Sequence, residues 1–349
     1  MSDVTHTPPA PEISLAAYTT LRLGGPAGTL TTAVHTDEAV AAVRAATAAG
    51  RRLLVLAGGS NVVIGDDGFD GEVLLLRTRG IEVAGEDDSG VLVRVAAGEP
   101  WDDFVSYAVT NGLSGVECLS GIPGAAGSTP IQNVGAYGQE VAHTIEAVHA
   151  YDRRADEIRV MTPAECRFGY RTSVFKHDDR YLVTAVDFRL ARAHESAPIR
   201  YAELARELGG SAGDRVPLGH ARDTVLKLRA GKGMVLDPED RDTWSVGSFF
   251  TNPVVPAAFF ATLGEMPHWP GADGSVKIPA AWLIEHAGFP KGFAGDGVAI
   301  SGKHTLALTN RGAGTTSALL DLARTIRDGV HARFGVELHP EPVLIDCAI

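Results

Sequence analysis

Apolar residues recur at helical and extended spacings in turn through the first half of the chain. In TDEAVAAVRAATAAG, Thr36 stands where a cap belongs, acids fill the first turn, and Val40 and Val43 lie three apart before Gly50, which predicts a helix. RRLLVLAGGSN then reads as a short strand running into a Gly-Gly-Ser-Asn turn, a strand–helix–strand unit ending in a nest of N–H groups. EVLLLRT and VLVRVAAG predict two more strands. EPWDDFVSYAVTNG carries Trp101, Phe104, Val105, Ala108 and Val109 on one helical face. AVHAYD and EIRVMT flank a charged turn as a hairpin, and Thr162, Pro163 and Glu165 spell a capping box before Tyr170. RYLVTAVDFRL is a further strand, and SAPIRYAEL reads as a connection.

Beyond about residue 195 the pattern changes. ARDTVLKLRAGK, AAFFATL, PAAWLIEHAG and SALLDLARTIRDGVHARF are helical, DPEDRDTWSVGSFFTNPVV is irregular, and TLALTN and VELHPEPVLI look extended. The expected class is α+β, sheet-rich first and mixed afterwards.

One stretch fits neither period. GIPGAAGSTPIQNVGAYG, Gly121–Gly138, is rich in glycine, holds two prolines and carries no charge. Glycine costs about 1 kcal/mol and proline about 3 kcal/mol inside a helix, and both weaken a strand. Ile122, Ile131, Val134 and Tyr137 are spaced through it, which a mere linker would not need.

Composition narrows the function. At 349 residues, 45% of them hydrophobic, the chain suits two or three domains. A formal charge of −12 argues against a nucleic-acid binder, which needs clustered Lys and Arg. Cys118, Cys166 and Cys347 form no CxxC pair and no metal spacing, as in a reducing cytosol. MSDVTHTPPAPE lacks the basic and apolar regions of a signal peptide, and no apolar run approaches the roughly 20 residues of a membrane helix. A cytoplasmic enzyme is expected, with residues 1–12 disordered.

Several motifs carry candidate chemistry. A GGSN turn after a strand can aim amides at a phosphate, although such a turn is more often only a turn. The bare backbone of the glycine-rich stretch, with Gln132 and Asn133, would suit close packing against a planar ring and a pyrophosphate; alternatively it covers a sheet edge. In FGYRTSVFK, Arg171 is either a surface ion pair or a fork for a substrate carboxylate. In GSFFTNP, Ser248 is either a turn hydroxyl or a proton donor held between apolar walls. In HPEPVLI, prolines on both sides of Glu341 leave few N–H groups to compete for its carboxylate.

Together these motifs resemble one family, the flavin-dependent UDP-N-acetylenolpyruvoylglucosamine reductases of peptidoglycan precursor synthesis. The matching segments run in order from YTTLRLGGPA through LAGGSNVV, the glycine-rich stretch, ECRFGYRTSVFK, GSFFTNP, SVKIPAAWLIEHAG and SGKHTLALTN to LHPEPVLI. IPGAAGSTPIQNVGAYG beside FGYR is the most specific part. The resemblance implies a disordered segment over 1–15 and a vanillyl-alcohol-oxidase/PCMH-type FAD-binding domain over 16–192. A smaller α+β substrate-binding domain over 193–349 follows, its last strand carrying Glu341 back to the cleft. FAD is implied against Ala57, Gly58, Gly59, Ser60 and Asn61, and against Gly121, Pro123, Gly124, Gly127, Ser128, Gln132, Asn133, Gly135, Ala136 and Tyr137.

Catalysis is implied for Arg171, Ser248 and Glu341, and substrate contact for Tyr170, Tyr201, Lys232, Asn252 and His304. Tyr201 resembles the tyrosine that closes over substrate in the longer form of the family, so its segment is expected to be mobile until substrate binds. Where the family commonly has Pro-Glu-Val, this chain has Pro-Glu-Pro at Pro340–Pro342, which removes an N–H but leaves the carboxylate. No metal, nucleic acid or membrane is implied. The expected enzyme is a monomer that reduces UDP-N-acetylglucosamine enolpyruvate, with NADPH as hydride donor in a ping-pong sequence. Valine at Gly124 or Gly135 is expected to expel FAD by filling cofactor space. Two rivals are a flavin oxidase of the same fold, disfavoured by the lack of an HxxC-type attachment site, and a non-catalytic flavin sensor.

Overall fold

A computed structural model describes residues 13–349 apart from Ala272. Of the segment expected to be disordered, 1–15, residues 1–12 lie outside the described residues, and its end is instead ordered: Ile13–Ser14 form a two-residue strand paired with Pro26–Ala33, and Leu15 is buried.

The first half holds two sheets around one core. Strands Pro26–Ala33 and Leu53–Leu56 run parallel to Phe69–Leu76 between them. Helix Thr36–Ala48 makes the crossover that such pairing requires. Its cap is His35, one residue before the expected Thr36. Glu38 reaches back to accept from the backbone N–H groups of Val34 and His35, at 2.9 and 3.1 Å. The antiparallel sheet runs Glu157–Met161, Ile145–Asp152, Tyr181–Arg192, Gly90–Ala96, Ile81–Asp87. Ile81–Asp87 escaped the sequence reading because it is an exposed edge strand in which Glu82, Glu86 and Asp87 break the apolar alternation.

Helix Trp101–Thr110 buries Trp101, Phe104, Val105 and Ala108. Trp101, Phe104 and Phe188 pack with ring centroids 4.9–5.7 Å apart, and each such side chain contributes about 1.5–3 kcal/mol of burial. The indole N–H of Trp101 donates to Leu119 O at 3.0 Å, which anchors the entry to the glycine-rich stretch.

The second half centres on an antiparallel sheet of Ser245–Ser248, Ala307–Asn310 and Val298–Ile300, covered by helix Thr316–Phe334. That helix buries Leu319, Ala323, Ile326 and Val330, a single stripe at i, i+4, i+7 and i+11. Short strands of this half, such as Val298–Ile300, gave too few residues for a period. The expected connection SAPIRYAEL contains a helix, Ala202–Glu207, capped at Tyr201.

Several features join the halves. Leu21, Leu23 and Val63 belong to the second core, and Asp66 accepts from the N–H groups of Thr316 and Ser317 at 2.7 and 2.8 Å. Strand Val343–Ile345 then returns to pair in parallel with Val62–Ile64, directly after the GGSN turn. Helix Leu218–Gly231 packs on the first half as well, with Val225 buried against Cys118, Ile199 and Leu204.

Candidate active site

The GGSN turn and the glycine-rich stretch touch each other. A Cβ on Gly58 would lie 2.5 Å from Gly124 Cα, so two backbones meet where no side chain fits. On either side of this junction lie cavities of about 660 and 260 Å³, which share Ala57, Gly124 and Ala125 in their walls. The larger reaches Arg22, Arg77 and Arg79. The smaller is walled by Ile122, Ile131 and Val134 and ends at Arg171, Ser248 and Glu341.

Of the residues expected to meet FAD, Ala57, Gly58, Gly59, Ser60, Asn61, Pro123, Gly124, Ser128, Gln132 and Gly135 line these cavities. The Asn61 and Gln132 amides bond to each other at 2.5 Å across the cleft wall. Gly121, Gly127, Asn133, Ala136 and Tyr137 line neither. Gly127 is small because Ala97 Cβ would lie 2.4 Å from any Cβ there. Gly121 N donates to Asp102 at 2.6 Å. Asn133 is buried; its amide donates to Glu140 and Gly169 O and accepts from Ala142 N, so it braces the loop.

Gly124 and Gly135, expected to face FAD, are also crowded by the chain itself. A Cβ at Gly124 would meet Ser60 Oγ at 2.7 Å, where φ is +125°, and one at Gly135 would meet Glu140 Cγ at 2.7 Å. Both glycines are demanded by the protein's own packing before any cofactor is considered.

Arg171 sits at φ 54°, a left-handed conformation that non-glycine residues seldom hold without surrounding support. Its Nη1 and Nη2 donate to Asn133 O at 3.3 Å and Gly135 O at 2.7 Å, and Nε lies 3.4 Å from Glu341 Oε1. Both side chains are largely buried. Burial pushes the Glu341 carboxyl above its ordinary pKa, while Arg171 and Lys176 pull it back. Glu341 N donates to Phe249 O at 2.8 Å, which ties the returning tail to the residue after Ser248. The turn hydroxyl of this strand is Ser245, which accepts from Gly247 N at 3.2 Å. Ser248 instead lines the cleft.

The expected substrate residues separate. Tyr201 meets Tyr137 edge-on, with ring centroids 5.4 Å apart, and Lys232 Nζ lies 5.7 Å from the Tyr137 centroid. His304 is held neutral near the same cations: burial, then Lys232, Lys291 and Arg229, lower its pKa to about 4. Tyr170, though exposed, stays beside the catalytic candidates: Arg171 Cζ lies 5.3 Å and Lys277 Nζ 4.9 Å from its ring. Asn252 Oδ1 accepts from Ala280 N at 2.9 Å and so caps helix Ala280–His286. In this structure the Tyr201 segment is packed down: Ile199, Leu204 and Ala205 are buried, and Ser196 and Val216 close its neck by two hydrogen bonds. Tyr201 itself is 42% exposed.

Sequence reasoning missed two cations. Lys176 Nζ donates to the carbonyls of Glu341 and Arg171, at 3.2 and 3.1 Å, and closes the back of the site. Its only signal was its place at the end of FGYRTSVFK. Arg229 lines the cleft with a buried Nε that has no partner among the described residues, and burial lowers its pKa only to about 10. A charged arginine with an unused N–H, beside apolar walls and backbone amides, fits a two-lobed dinucleotide such as FAD.

Comparisons with known proteins agree with this geometry. The family description "UDP-N-acetylenolpyruvoylglucosamine reductase, C-terminal domain" matches residues 237–345, and "FAD binding domain" matches residues 29–160. The reductase of that name from Salinispora arenicola is 59% identical over 98% of this chain and 97% of its own. The chain belongs to the UDP-N-acetylenolpyruvoylglucosamine reductase family. The Thermobifida fusca reductase is 55% identical over 96% of this chain and 98% of its own. A crystal structure of the reductase from Thermus caldophilus superposes with a TM-score of 0.66 at 26% identity, over 96% of this chain and 98% of that one. The fold is therefore that of a PCMH-type FAD-binding domain joined to a family-specific α+β domain. Among the described residues no helix is long and apolar enough to cross a membrane.

Proposed function

We propose that the cleft ending at Arg171, Ser248 and Glu341 is where this family member reduces UDP-N-acetylglucosamine enolpyruvate to UDP-N-acetylmuramate. FAD, when bound, supplies the hydride chemistry, taking hydride from NADPH and giving it to the enol ether. The residues that would hold it are the GGSN turn, Gly124, Ser128, Gln132 and Arg229.

Hydride at one alkene carbon loads negative charge onto the substrate carboxylate, so a fixed cation there lowers the barrier. Arg171 has five guanidinium N–H groups, and its three contacts leave one on each Nη for that charge. Glu341 and Lys176 hold the guanidinium in place. Ser248 gives the other carbon its proton; the hydroxyl is acidic enough only because an enediolate carbon is strongly basic. The single observation that carries this reading is the Arg171–Glu341 pair in the same cavity wall as Ser248.

Tyr170, Tyr201, Lys232 and His304 are proposed to receive the sugar nucleotide, with residues 193–349 as its domain. A cytoplasmic monomer is the proposed form. The test is a flavin spectrum of the purified protein, followed by anaerobic NADPH and then the enolpyruvyl sugar nucleotide. Bleaching by NADPH and recolouring by that substrate alone support the reading. Absence of a flavin band, or recolouring only by oxygen, overturns it.

A further inference from the structure

Lys232 Nζ donates to Glu203 Oε2 at 2.5 Å, in a pair whose side chains are 34% and 30% exposed. The other flank of the ammonium is the Tyr137 ring, which in turn meets Tyr201. This cluster lies next to the cleft, because cleft-lining Arg229 is close enough to Tyr137 to act on its hydroxyl together with Glu203 and Tyr201. We infer that Glu203 is an internal competitor for Lys232, a carboxylate that the diphosphate of a sugar nucleotide must displace. The inference rests on the proposed contact of Lys232 with substrate.

Three observations support it. Lys232, Lys291 and Arg229 all act on His304, and Glu203 opposes them there. A cluster of cations shared with one acid suits a dianion. Next, Glu203 is a long, flexible acid that is only partly buried, so rotation of its side chain is enough to release the ammonium. Finally, a simple anion held by the ammonium alone must displace the carboxylate in full, whereas a diphosphate also engages the remaining cations and so loses proportionally less. Glu203 thereby selects a diphosphate over simple anions.

The experiment titrates UDP into the FAD-loaded protein by calorimetry at low and high ionic strength, for wild type, Glu203→Gln, Glu203→Asp, Lys232→Met and the Glu203→Gln/Lys232→Met double variant. Glu203→Gln is expected to bind UDP about 2–5-fold tighter, the range for a partly exposed pair. Its affinity should also fall more steeply with salt, because binding then forms an ion pair without breaking one. Inorganic phosphate should gain proportionally more than UDP, Glu203→Asp should stay near wild type, and the double variant should match Lys232→Met. Unchanged or weaker UDP binding by Glu203→Gln overturns the inference, the carboxylate then serving to orient the lysine. Glu203→Ser is the second variant should Glu203→Gln lose its flavin. Wild-type affinity in Lys232→Met would instead overturn the substrate contact of Lys232, a separate failure.

Discussion

Arg171 Nε lies 3.4 Å from Glu341 Oε1, although the two residues belong to opposite halves of the fold. The contact exists because strand Val343–Ile345 returns to pair with Val62–Ile64 and carries Glu341 beside the loop that holds Arg171. Asn133 O and Gly135 O fix the other two guanidinium nitrogens. Glycine-rich loop, guanidinium and returning strand thus form one unit, and the proposed chemistry would depend on the docking of that strand.

Arg171→Lys should be far from conservative. An ammonium cannot hold two carbonyls and a carboxylate in one plane and still face substrate. Turnover should fall by roughly 10²-fold or more, as for a lost oxyanion donor, while NADPH still bleaches the flavin. Rapid-mixing measurement of each half-reaction checks this, and near-wild-type turnover would reduce Arg171 to a structural ion pair.

Gly124→Ala should destabilise the protein with or without FAD. The left-handed φ and the 2.7 Å approach to Ser60 Oγ are both internal to the chain. Thermal melts of the flavin-free protein should show the loss. A melting temperature unchanged in the apoprotein, with flavin affinity lost, would restore the idea that this glycine is small for the cofactor alone.

Arg171, Ser248, Glu341 and the GGSN turn could be picked out in the sequence because each sits in a short motif, and the structure brings all of them to one cleft. Helices Trp101–Thr110 and Thr316–Phe334 were legible because their apolar stripes span several turns. Residues brought in by tertiary packing were not. Arg229 lies on a helix whose outward positions are otherwise ordinary, and that its Nε is buried without a partner among the described residues appears only once the cleft is closed around it. Glycines 121 and 127 read as cofactor contacts, since a sequence cannot show whether the neighbour crowding a Cβ is ligand or protein.

Acid stability should depend on Asp152, which is fully buried. Arg180 grips it with two nitrogens, and the backbone N–H groups of Arg154 and Ala155 add to this, so its pKa falls to about 2. A depressed carboxyl pKa stabilises the fold above the unfolded value of about 3.9, and that contribution is lost as pH falls toward the folded value. Asp152→Asn should lower the urea midpoint at neutral pH, and the gap to wild type should narrow between about pH 4 and pH 2. A gap that stays constant across this window would show that the ionised form is not what stabilises.

Ser248→Ala is the sharpest test of the proposed chemistry. Ser245, and not Ser248, supplies the turn hydrogen bond of this strand, so removing the Ser248 hydroxyl should leave folding and flavin content intact. NADPH oxidation should also be unchanged, because no substrate carbon is protonated in that half. Reoxidation by the enolpyruvyl sugar nucleotide should slow by about 10²–10⁴, the range for a lost general acid. Ser248→Cys, with a more acidic group of similar size, should recover part of the rate. In deuterated water the wild-type product should carry one solvent-derived deuterium on a single face, and Ser248→Ala should lose that facial preference along with the rate. Equal slowing of both halves in Ser248→Ala would make the serine structural and assign the proton to another group.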